Sequence, residues 1–587
     1  MDSPPIGIDL GTTNSAVAVF RGGAPELLPN AHGQFLTPSI VGVLDSGEVI
    51  VGAAAAELAV VAPERCAATF KRWMGEDKQV ELAGQTFTPP ELSAIVLRSL
   101  KADAEAALGP GIQGAVITVP AYFDQVQREA TRRAGELAGL EVRRIVNEPT
   151  AAALTYGFHQ RSADRRLLVF DLGGGTFDVT IMEIFEGVLE IQATAGESRL
   201  GGEDFTDLLL GRALRRMDRS LEVAEFREPK LVARLRSEAE TAKRIFSSSD
   251  SALLRLPETD GTVDPAGPTW DLGAAEFEEL CEPLLERLRR PVLRALRDAD
   301  LSPERVDQVL LVGGASRMPV VRRLVTELFG RPPRHEIDPD QAVALGAAVQ
   351  AALVADDAAV EDLVATDVCP HTLGVEISKE MGTRVVHGYY FPILHRNTTI
   401  PVSTEESVYT MHDNQEIISV RVYQGEGRRV EDNTYLGELE VPDLPAHKSG
   451  LEVCLRFTYD QSGLLEVEAF VPSTGKKTST IFRHHAKALG DGELKAAAKR
   501  MQGLKFYPRE DLGHQRLLRY AERCLPELAR FQREQLEEHV DAFDRALHHS
   551  SPESFEDARR SLLNSLSALG LAFDGAEESE EPGDGEV

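Results

Sequence analysis

The stretch Phe170-Asp-Leu-Gly-Gly-Gly-Thr-Phe-Asp-Val179 sets the first expectation for the fold of this chain. The apolar run that begins at Leu167 predicts a buried strand, which reaches a carboxylate, three glycines, a hydroxyl and a second carboxylate where a tight hairpin would form. Consecutive glycines let backbone N–H groups approach an anion, because no Cβ atom blocks the approach. The carboxylates cannot bind an anion, so they must act on a cation or a water beside it. The stretch therefore predicts phosphate chemistry.

A second stretch, Ile6-Gly-Ile-Asp-Leu-Gly-Thr-Thr-Asn-Ser15, repeats this design. Asp9 is followed by Gly11 and then by hydroxyl and amide donors at Thr12, Thr13 and Asn14. Two such hairpins can hold the phosphates of one nucleotide from both sides, with Mg²⁺ held between Asp9 and Asp171 through its waters. For either stretch alone, a turn that merely connects two strands is an equally good interpretation. The repetition, with Asp leading each copy, favours a nucleotide site.

Length and composition predict a soluble protein of several domains. At about 150 residues per domain, 587 residues correspond to three or four structural units. The hydrophobic share of 42% and the charged share of 27% are typical of globular proteins. Gly7, Asp9 and Gly11 interrupt the N-terminal apolar stretch, so we expect no signal peptide, no membrane helix and a cytoplasmic location.

Charge and cysteine usage exclude several other classes of protein. The formal charge of −31 argues against nucleic acid as a partner, because phosphates require a basic surface. Five widely spaced cysteines without a C-x-x-C pair predict reduced thiols rather than disulfide bridges or a zinc site. No G-x-x-x-x-G-K-[ST] motif occurs, so the chain is not a P-loop enzyme.

The first 360 residues alternate short apolar strands with helical stretches, as an α/β domain does. The clearest predicted helices are 90–107, 125–138 and 231–247. The stretch 309–319 predicts another strand that runs into a glycine turn, and by itself it is more readily explained as an ordinary strand-to-helix turn.

Seven motifs extend this pattern along the chain. They are Ile8-Asp-Leu-Gly-Thr-Thr-Asn14, Phe70-Lys-Arg72, Val119-Pro-Ala-Tyr-Phe123, Asn147-Glu-Pro-Thr-Ala-Ala-Ala153, Asp171-Leu-Gly-Gly-Gly-Thr-Phe-Asp178, Leu200-Gly-Gly-Glu-Asp-Phe205 and Val312-Gly-Gly-Ala-Ser-Arg-Met-Pro319. Their order and spacing resemble the seventy-kilodalton heat-shock chaperones of the DnaK type, from residue 6 to about residue 485. Sugar kinases and actin-like filament proteins share the two phosphate hairpins, but the Asn147 motif and the C-terminal half point away from them.

The resemblance implies an actin-like ATPase domain over residues 1–361, with ATP and Mg²⁺ in a cleft between two lobes. The implied phosphate-side contacts are Thr12, Thr13, Asn14, Gly173, Gly174, Gly175, Gly201 and Gly202. The implied adenosine-side contacts are Glu240, Lys243, Ser247, Gly313, Gly314, Ser316, Arg317 and Asp340. The implied catalytic residues are Lys71, Glu148, Asp171, Thr176 and Asp178, and Asp9 and Asp171 hold the metal. Of these, Lys71 would stabilise the charge that builds on the γ-phosphate.

The resemblance also implies residues that carry the nucleotide state to other partners. Pro120 and Arg128 match the relay toward the outer surface. A J-domain co-chaperone site is implied at Arg144, Asn147, Thr150 and Asp367. A nucleotide exchange factor is a possible further partner.

Residues 362–367 stand where the family has its interdomain linker, which docks on the ATPase domain as an added strand. The usual pattern is a run of large aliphatic residues between acids. In this chain only Leu363 and Val364 are large, and Ala365 and Thr366 follow. At ~25 cal/mol per Å² of apolar surface, the loss of two large side chains weakens docking. We therefore hypothesise looser coupling between ATP and substrate than in a general chaperone.

Residues 368–485 change to a period of two, which predicts an antiparallel β-sandwich. The motifs Asn397–Pro401 and Asp413–Gln415 resemble the peptide-binding domain of the same family. Carried across from those motifs, the peptide pocket and its arch comprise Val375, Val408, Met411, Ile418 and Val420. One departure is the stretch 379–390, which looks like an insertion in the first loop, where the other arch residue belongs.

The C-terminal region predicts a short helical lid over residues 491–569 and an acidic, disordered tail over 574–587. The junction 366–370, the segment 504–510 and the short lid are most similar to the HscC-type bacterial branch of the family.

The predicted function is that of an ATP-dependent chaperone that captures and releases extended apolar segments of unfolded proteins. ATP binding opens the peptide pocket, and hydrolysis, stimulated by a J-protein, closes it. The alternative is a specialised regulator of one dedicated partner with a weakly coupled or vestigial ATPase. The intact catalytic residues favour the enzyme, whereas the linker with few large side chains and the loop insertion favour the specialist.

Overall fold

The structure is a computed structural model that describes residues 4–159, 165–185, 188–334, 337–360, 363–381, 384–460, 463–482, 512–528, 530–549, 552–571 and 573. The chain divides into two compact units. The first unit runs to His371 and includes Arg396–Ile400, and the second contains Thr372–His395, Pro401–Phe482 and the C-terminal helices.

The strands of the first unit are β1 (Ile6–Asp9), β2 (Asn14–Arg21), β3 (Ala24–Leu27), β4 (Thr37–Pro38), β5 (Val41–Val43), β6 (Val49–Val51), β7 (Cys66–Ala67), β8 (Val80–Leu82), β9 (Gln85–Phe87), β10 (Gly114–Val119), β11 (Glu141–Asn147), β12 (Arg165–Leu172), β13 (Phe177–Phe185), β14 (Val188–Glu197), β15 (Ser251–Arg255), β16 (Thr269–Gly273), β17 (Gln308–Val312), β18 (Val364–Ala365) and β19 (Asp367–Val368). Its helices are α1 (Ala53–Val61), α2 (Pro89–Leu108), α3 (Gln125–Leu137), α4 (Glu148–His159), α5 (Gly202–Arg216), α6 (Leu221–Arg227), α7 (Pro229–Ile245), α8 (Ala274–Asp298), α9 (Pro319–Phe329) and α10 (Ala342–Val354).

Two central sheets with the same local design organise the first unit. One has the order β11-β10-β1-β2-β3, and the other has the order β17-β12-β13-β14-β18. In each sheet the antiparallel hairpin follows an aspartate, Asp9 in β1 and Asp171 in β12. The apolar residues before these aspartates are fully buried, which explains why both stretches form strands. The two predicted hairpins are therefore present.

Small residues allow helix α10 to lie directly against the first sheet and against α4. A Cβ atom on Gly7 would overlap the backbone of Ala348, and one on Gly346 would overlap the carbonyl of Ala151. Such contacts require glycine and alanine, because any larger side chain would force the backbones apart. The run Ala151–Ala153 after the Asn147 motif is buried in this contact.

The three predicted helices are present with shifted ends. Helix α2 begins at Pro89 after Thr88, whose side chain and backbone form a capping box with Glu91. Helix α3 begins after Asp124, which accepts a hydrogen bond from the Gln127 N–H at 2.9 Å. Helix α7 ends at Ile245, two residues before the predicted end at residue 247.

The described part of the linker forms a short added strand in the first unit. Strand β18 pairs in parallel with β14, and the Thr366 N–H donates to the Leu189 carbonyl at 2.9 Å. Leu363 is buried against the cluster that contains Phe20, Leu154 and Val360. The added strand is two residues long. The hypothesis of looser coupling stays a prediction.

The second unit is an antiparallel β-sandwich, as the sequence predicts. Its strands, with β22 (Thr399–Ile400) of the first unit between them in the chain, are β20 (Leu373–Met381), β21 (Arg384–Leu394), β23 (Val402–Tyr409), β24 (Ile418–Gln424), β25 (Thr434–Val441), β26 (Glu452–Tyr459), β27 (Leu465–Val471) and β28 (Lys476–Phe482). They form two sheets, β21-β20-β24-β25 and β23-β26-β27-β28. The stretch 379–390, expected as a loop insertion, instead extends the hairpin of β20 and β21.

Both faces of β26 are buried, although every second residue is polar. Arg456 is 5% exposed, and it forms an ion pair with Glu405 and a longer one with Glu468 at 3.9 Å. A buried charge is tolerated when it is paired, which explains how this polar face remains inside the unit.

The second unit also contains the helices α11 (Leu512–Cys524), α12 (Arg530–His549) and α13 (Pro552–Ala568). Their predicted apolar stripe is buried, including Leu536, Val540, Phe543 and Leu562. The first part of the predicted lid, to residue 511, and the acidic tail lie outside the described residues. Among the described helices, none is long and apolar enough to cross a membrane.

Candidate functional site

The first unit contains a cavity of about 400 Å³, within the usual size range of small-molecule sites. Both predicted hairpins line it, together with the start of α5, the end of α7 and the turn after β17. The predicted residues that line the cavity are Asp9, Thr12, Thr13, Asn14, Lys71, Glu148, Asp171, Gly173, Gly174, Thr176, Gly202, Glu240, Lys243, Ser247, Gly313, Gly314, Arg317 and Asp340. The structure thus brings together residues from six of the seven motifs, because no residue of Val119–Phe123 lines the cavity.

The two hairpins approach each other so closely that only glycine fits between them. A Cβ atom on Gly174 would overlap the Thr13 hydroxyl, and one on Gly175 would lie 2.5 Å from the Thr12 hydroxyl. One on Gly201 would lie 2.5 Å from the Gly174 carbonyl. Of these glycines Gly174 lines the cavity, and the absence of a Cβ atom there lets an anion approach the backbone.

Replacing Gly174 with alanine is expected to weaken nucleotide binding about tenfold or more, because overpacking forces the hairpins apart. Titration with a fluorescent nucleotide would measure the effect. Gly211→Ala is the matched control, because a Cβ atom there meets no atom within 4 Å and the residue lies in α5. Unchanged affinity in Gly174→Ala would contradict the assignment of this hairpin to the nucleotide.

Three carboxylates, those of Asp9, Glu148 and Asp171, form the charged end of the cavity with Lys71, and the carboxylate of Asp178 lies behind them. Lys71 Nζ donates to Glu148 Oε1 at 2.6 Å, although the residues are 77 positions apart. Asp9 accepts from the Thr118 hydroxyl at 3.1 Å, and Asp178 accepts from the Tyr122 N–H at 3.1 Å. Asp171 lies opposite Asp178 in the β12–β13 hairpin.

Burial makes the carboxylates of Asp9, Asp171 and Asp178 unusually basic. Burial raises the pKa of Asp9 to about 7, and the nearby charge of Glu148 acts in the same direction. The same two causes raise the pKa of Asp178 to about 7. Burial raises the pKa of Asp171 well above its ordinary value. One lysine cannot compensate several carboxylates, so the site favours a further cation.

The arrangement fits a magnesium ion held by few direct protein ligands. Asp171 Oδ2 is buried and has no hydrogen-bond partner among the residues that the structure describes, so it is available to a cation or to a water bound to one. Among the described residues, no group of three or more carboxylate, histidine or cysteine side chains could itself hold a metal. Mg²⁺ normally keeps several waters and binds substrate phosphates, which suits Asp9 and Asp171 at the cavity wall.

Glu240 and Lys243 form a buried network rather than an exposed ion pair. Lys243 is 6% exposed and contacts Glu240 at 2.5 Å. Its Nζ also donates to the Gly202 carbonyl at 2.8 Å and to the Thr206 hydroxyl at 2.9 Å. Lys243 therefore also holds the start of α5 against α7. Ser247 lies beyond the end of α7 but still lines the cavity.

Four predicted residues do not line the cavity but support it. Gly175 and Gly201 form the close contacts described above, and Ser316 is buried and donates to the Gly313 carbonyl at 2.7 Å. Asp178 lies behind the wall, on the backbone of Tyr122. Their positions follow from packing, which motif spacing does not reveal.

Several residues line the cavity without having been predicted as site residues, among them Leu36, Glu203, Arg244 and Met318. Glu203, in the first turn of α5, accepts from the Thr13 hydroxyl of the first hairpin at 3.4 Å. Its position directly after Gly202 was the available signal. Leu36 lies in a loop without any motif and had none.

A hydrogen-bonded chain runs from Ala121 through Arg128 and Asn147 to Asp367 of the linker, inside the first unit. Arg128 donates to the Ala121 carbonyl at 2.9 Å and to Asn147 Oδ1 at 2.6 Å. Asn147 Nδ2 donates to both carboxylate oxygens of Asp367, at 2.9 and 2.8 Å, and burial raises the pKa of Asp367. The Thr150 hydroxyl also donates to Asp367, at 3.4 Å.

The remaining members of the predicted relay and co-chaperone sites lie beside this chain. Pro120 directly follows strand β10, and its carbonyl accepts a hydrogen bond from the Phe123 N–H at 3.1 Å. The positive charge of Arg144 lowers the pKa of Asp367, against the larger effect of burial. The predicted relay and co-chaperone residues are thus neighbours in space.

The predicted peptide-pocket residues come from both sheets of the second unit. Val375 in β20 pairs with Val422 in β24, so Val375, Val420 and Ile418 share one face. Val375 and Val420 are buried, at 1% and 3% exposure, and Ile418 is half-buried. Val408 in β23 and Met411, which follows that strand, are also half-buried. This face is therefore buried along β24 and opens toward Ile418.

Fold and site together define a class of protein: an actin-like ATPase with a β-sandwich in the same chain. The family profile described as Hsp70 protein matches residues 5–567. The chain is 41% identical over 514 residues to "Chaperone protein DnaK" of Thermotoga petrophila, covering 86% of this chain and 84% of that protein. The same values hold for the Thermotoga maritima protein, and the Thermotoga neapolitana protein is 40% identical over the same shares.

The chain belongs to the Hsp70 family, and it is an ATP-dependent chaperone of the DnaK type with ATPase activity. This confirms the predicted family, fold class, enzyme class and general function. The relatives named above are DnaK proteins, so the HscC-type branch stays a prediction.

Proposed function

We propose that ATP binds with Mg²⁺ in the cavity of the first unit and that Lys71, Glu148, Asp171, Thr176 and Asp178 carry out its hydrolysis. The supporting observation is the buried pair of Lys71 and Glu148 beside Asp9 and Asp171, at the closed end of the double hairpin. A bound Mg²⁺ would supply charge compensation for the phosphates.

Each residue has a distinct role in this proposal. Lys71 places a positive charge where negative charge builds on the transferred phosphoryl group. Glu148 holds Lys71 in position and, with Asp178, orients the attacking water. The pKa of Asp178 near 7 suits a group that accepts a proton at neutral pH. The Thr176 hydroxyl, at the cavity wall, positions the attacked phosphate.

We propose that clients bind as extended apolar segments in the pocket of Val375, Val408, Met411, Ile418 and Val420. A leucine-sized side chain buried there contributes roughly 1.5–3 kcal/mol, which supports weak and reversible capture. A J-domain co-chaperone would act at Arg144, Asn147, Thr150 and Asp367, where it can bias the hydrogen bonds to the linker. An exchange factor and a cytoplasmic location complete the proposal.

Replacing Val420 with phenylalanine is expected to lower affinity for an apolar peptide about tenfold, because the larger ring fills the pocket. Single-turnover ATP hydrolysis with and without peptide would measure both functions. Basal hydrolysis should be unchanged, and stimulation by peptide should require correspondingly more peptide. Ile481→Phe, a half-buried position of the other sheet, is the matched control.

Two observations favour the alternative function of a regulator with one dedicated partner. The added linker strand has two residues, and the β20–β21 hairpin is extended. Hydrolysis by the wild type that is indifferent to any apolar peptide would favour that alternative over the general chaperone.

A further inference from the structure

Three cationic side chains surround a single aromatic ring on the extended hairpin of the second unit. The Tyr389 ring centroid lies 4.5 Å from the Arg429 guanidinium carbon, 5.0 Å from Lys379 Nζ and 5.8 Å from the Arg428 guanidinium carbon. Tyr389 itself is 8% exposed, whereas Lys379 and Arg428 are exposed. We refer to Lys379, Arg428 and Arg429 as the cationic cluster.

The cationic cluster has no carboxylate partner among the residues that the structure describes. None of its three side chains forms an ion pair there, and the carboxylate of nearby Glu426 instead accepts from the N–H and the hydroxyl of Thr372, both at 3.0 Å. Like charges around one ring repel each other, and the ring face offsets only part of that repulsion. In a chain with a formal charge of −31, such a cluster stands out and favours an anion from outside.

Strand register places this cluster beside the proposed peptide pocket. Tyr389 pairs with Ile377 on β20, and on its other side it bridges Arg429. Ile377 is two residues after Val375, so Ile377 and Tyr389 share the face of the pocket. Continuing the pairing of Val375 with Val422 brings Ile377 level with Val420. Val375, Ile377 and Tyr389 therefore form one continuous line of side chains that leads from the apolar pocket to the cationic cluster.

We propose that Lys379, Arg428 and Arg429 form an anion-accepting subsite that takes an acidic residue of a client whose apolar side chain occupies the adjoining pocket. Guanidinium groups bind carboxylates with two parallel hydrogen bonds, which makes an acidic side chain a suitable ligand. Neighbouring strands lie ~4.8 Å apart, and an extended chain rises ~3.3 Å per residue. We therefore expect the acidic residue of the client to lie two to four residues from the apolar residue that occupies the pocket. This proposal rests on the proposed peptide pocket and specifies its clients.

The test uses three fluorescent peptides with the same leucine anchor and with glutamate, glutamine or lysine as flanking residues. Their affinities for the full chain with ADP are measured by fluorescence anisotropy at low and high salt. The variant Lys379→Gln/Arg429→Gln removes two of the three charges. Lys477→Gln is the matched control, because Lys477 lies 5.3 Å from the centroid of the Phe470 ring in the other sheet.

We expect the wild type and Lys477→Gln to bind the glutamate peptide about tenfold more tightly than the lysine peptide at low salt, with the difference shrinking at high salt. The double variant should lose this preference while its affinity for the glutamine peptide changes less than about twofold, which shows an intact pocket. A wild type without the preference, or a double variant that keeps it, would overturn the subsite alone. Absence of binding to all three peptides would overturn the proposed pocket as well.

Discussion

Replacing Lys71 with methionine is expected to slow single-turnover ATP hydrolysis about 10²- to 10³-fold. Lys71 is 3% exposed, and its amine contacts Glu148 in the charged end of the cavity. Methionine keeps much of the side-chain volume but removes the positive charge that lies against Glu148 at the cavity wall. The charge that develops during phosphoryl transfer then loses the stabilisation that this amine supplies.

Lys78→Met is the matched control for this prediction. Lys78 belongs to the same segment, but its amine lies over the Trp73 ring, 3.2 Å from the centroid, and does not line the cavity. Its hydrolysis rate should stay within about twofold of the wild type, as expected for a change distant from the chemistry. Nucleotide affinity and thermal unfolding, measured on both variants, separate catalysis from folding. A Lys71→Met variant that folds, binds ATP and hydrolyses it at the wild-type rate would contradict the proposed role.

Replacing Asn147 with aspartate is expected to abolish most of the stimulation of hydrolysis by peptide. The Asn147 amide donates to both oxygens of Asp367 at 2.8–2.9 Å. A carboxylate in its place sets two acceptors of like charge at that distance in a buried site, where repulsion is strong. The hydrogen bonds that hold Asp367, two residues after strand β18, are then lost, whereas the residues that line the cavity are unchanged.

The exchanged pair Asn147→Asp/Asp367→Asn provides the decisive control. It restores one donor and one acceptor with reversed order, and Arg128 can still donate to position 147. Stimulation by peptide should recover in large part, and hydrogen exchange of the Thr366 N–H, which donates to the Leu189 carbonyl, should return toward the wild-type level. Equal stimulation in Asn147→Asp and the wild type would show that this contact does not couple the linker to hydrolysis.

Local chemistry made the nucleotide site predictable. Asp171, Gly174 and Thr176 lie within six consecutive residues, and the strand, the turn and the anion-facing backbone follow from residue type alone. Resemblance to a family then supplied distant members such as Lys71 and Asp340. Neither source predicted that Gly175, Gly201 and Ser316 support the cavity from behind, because packing distance is not encoded in motif order.

The hairpin of β20 and β21 has a conformation that the sequence alone does not predict. The stretch 379–390 is predicted as an insertion in the first loop, and in the structure it continues both strands because Lys379–Met381 pair with Arg384–Val386. Strand pairing is a property of two segments together, so neither segment alone reveals it.

The sequence by itself determined the family, the two phosphate hairpins, the β-sandwich and the apolar stripe of the helices, because periodicity and turn chemistry act over a few neighbouring residues. Only the tertiary structure decided that Lys71 meets Glu148, that Asn147 holds Asp367 and that Lys379, Arg428 and Arg429 converge on Tyr389. These contacts join residues that are distant in the chain. Their charges and hydrogen bonds depend on burial and separation, which exist only once the chain has folded.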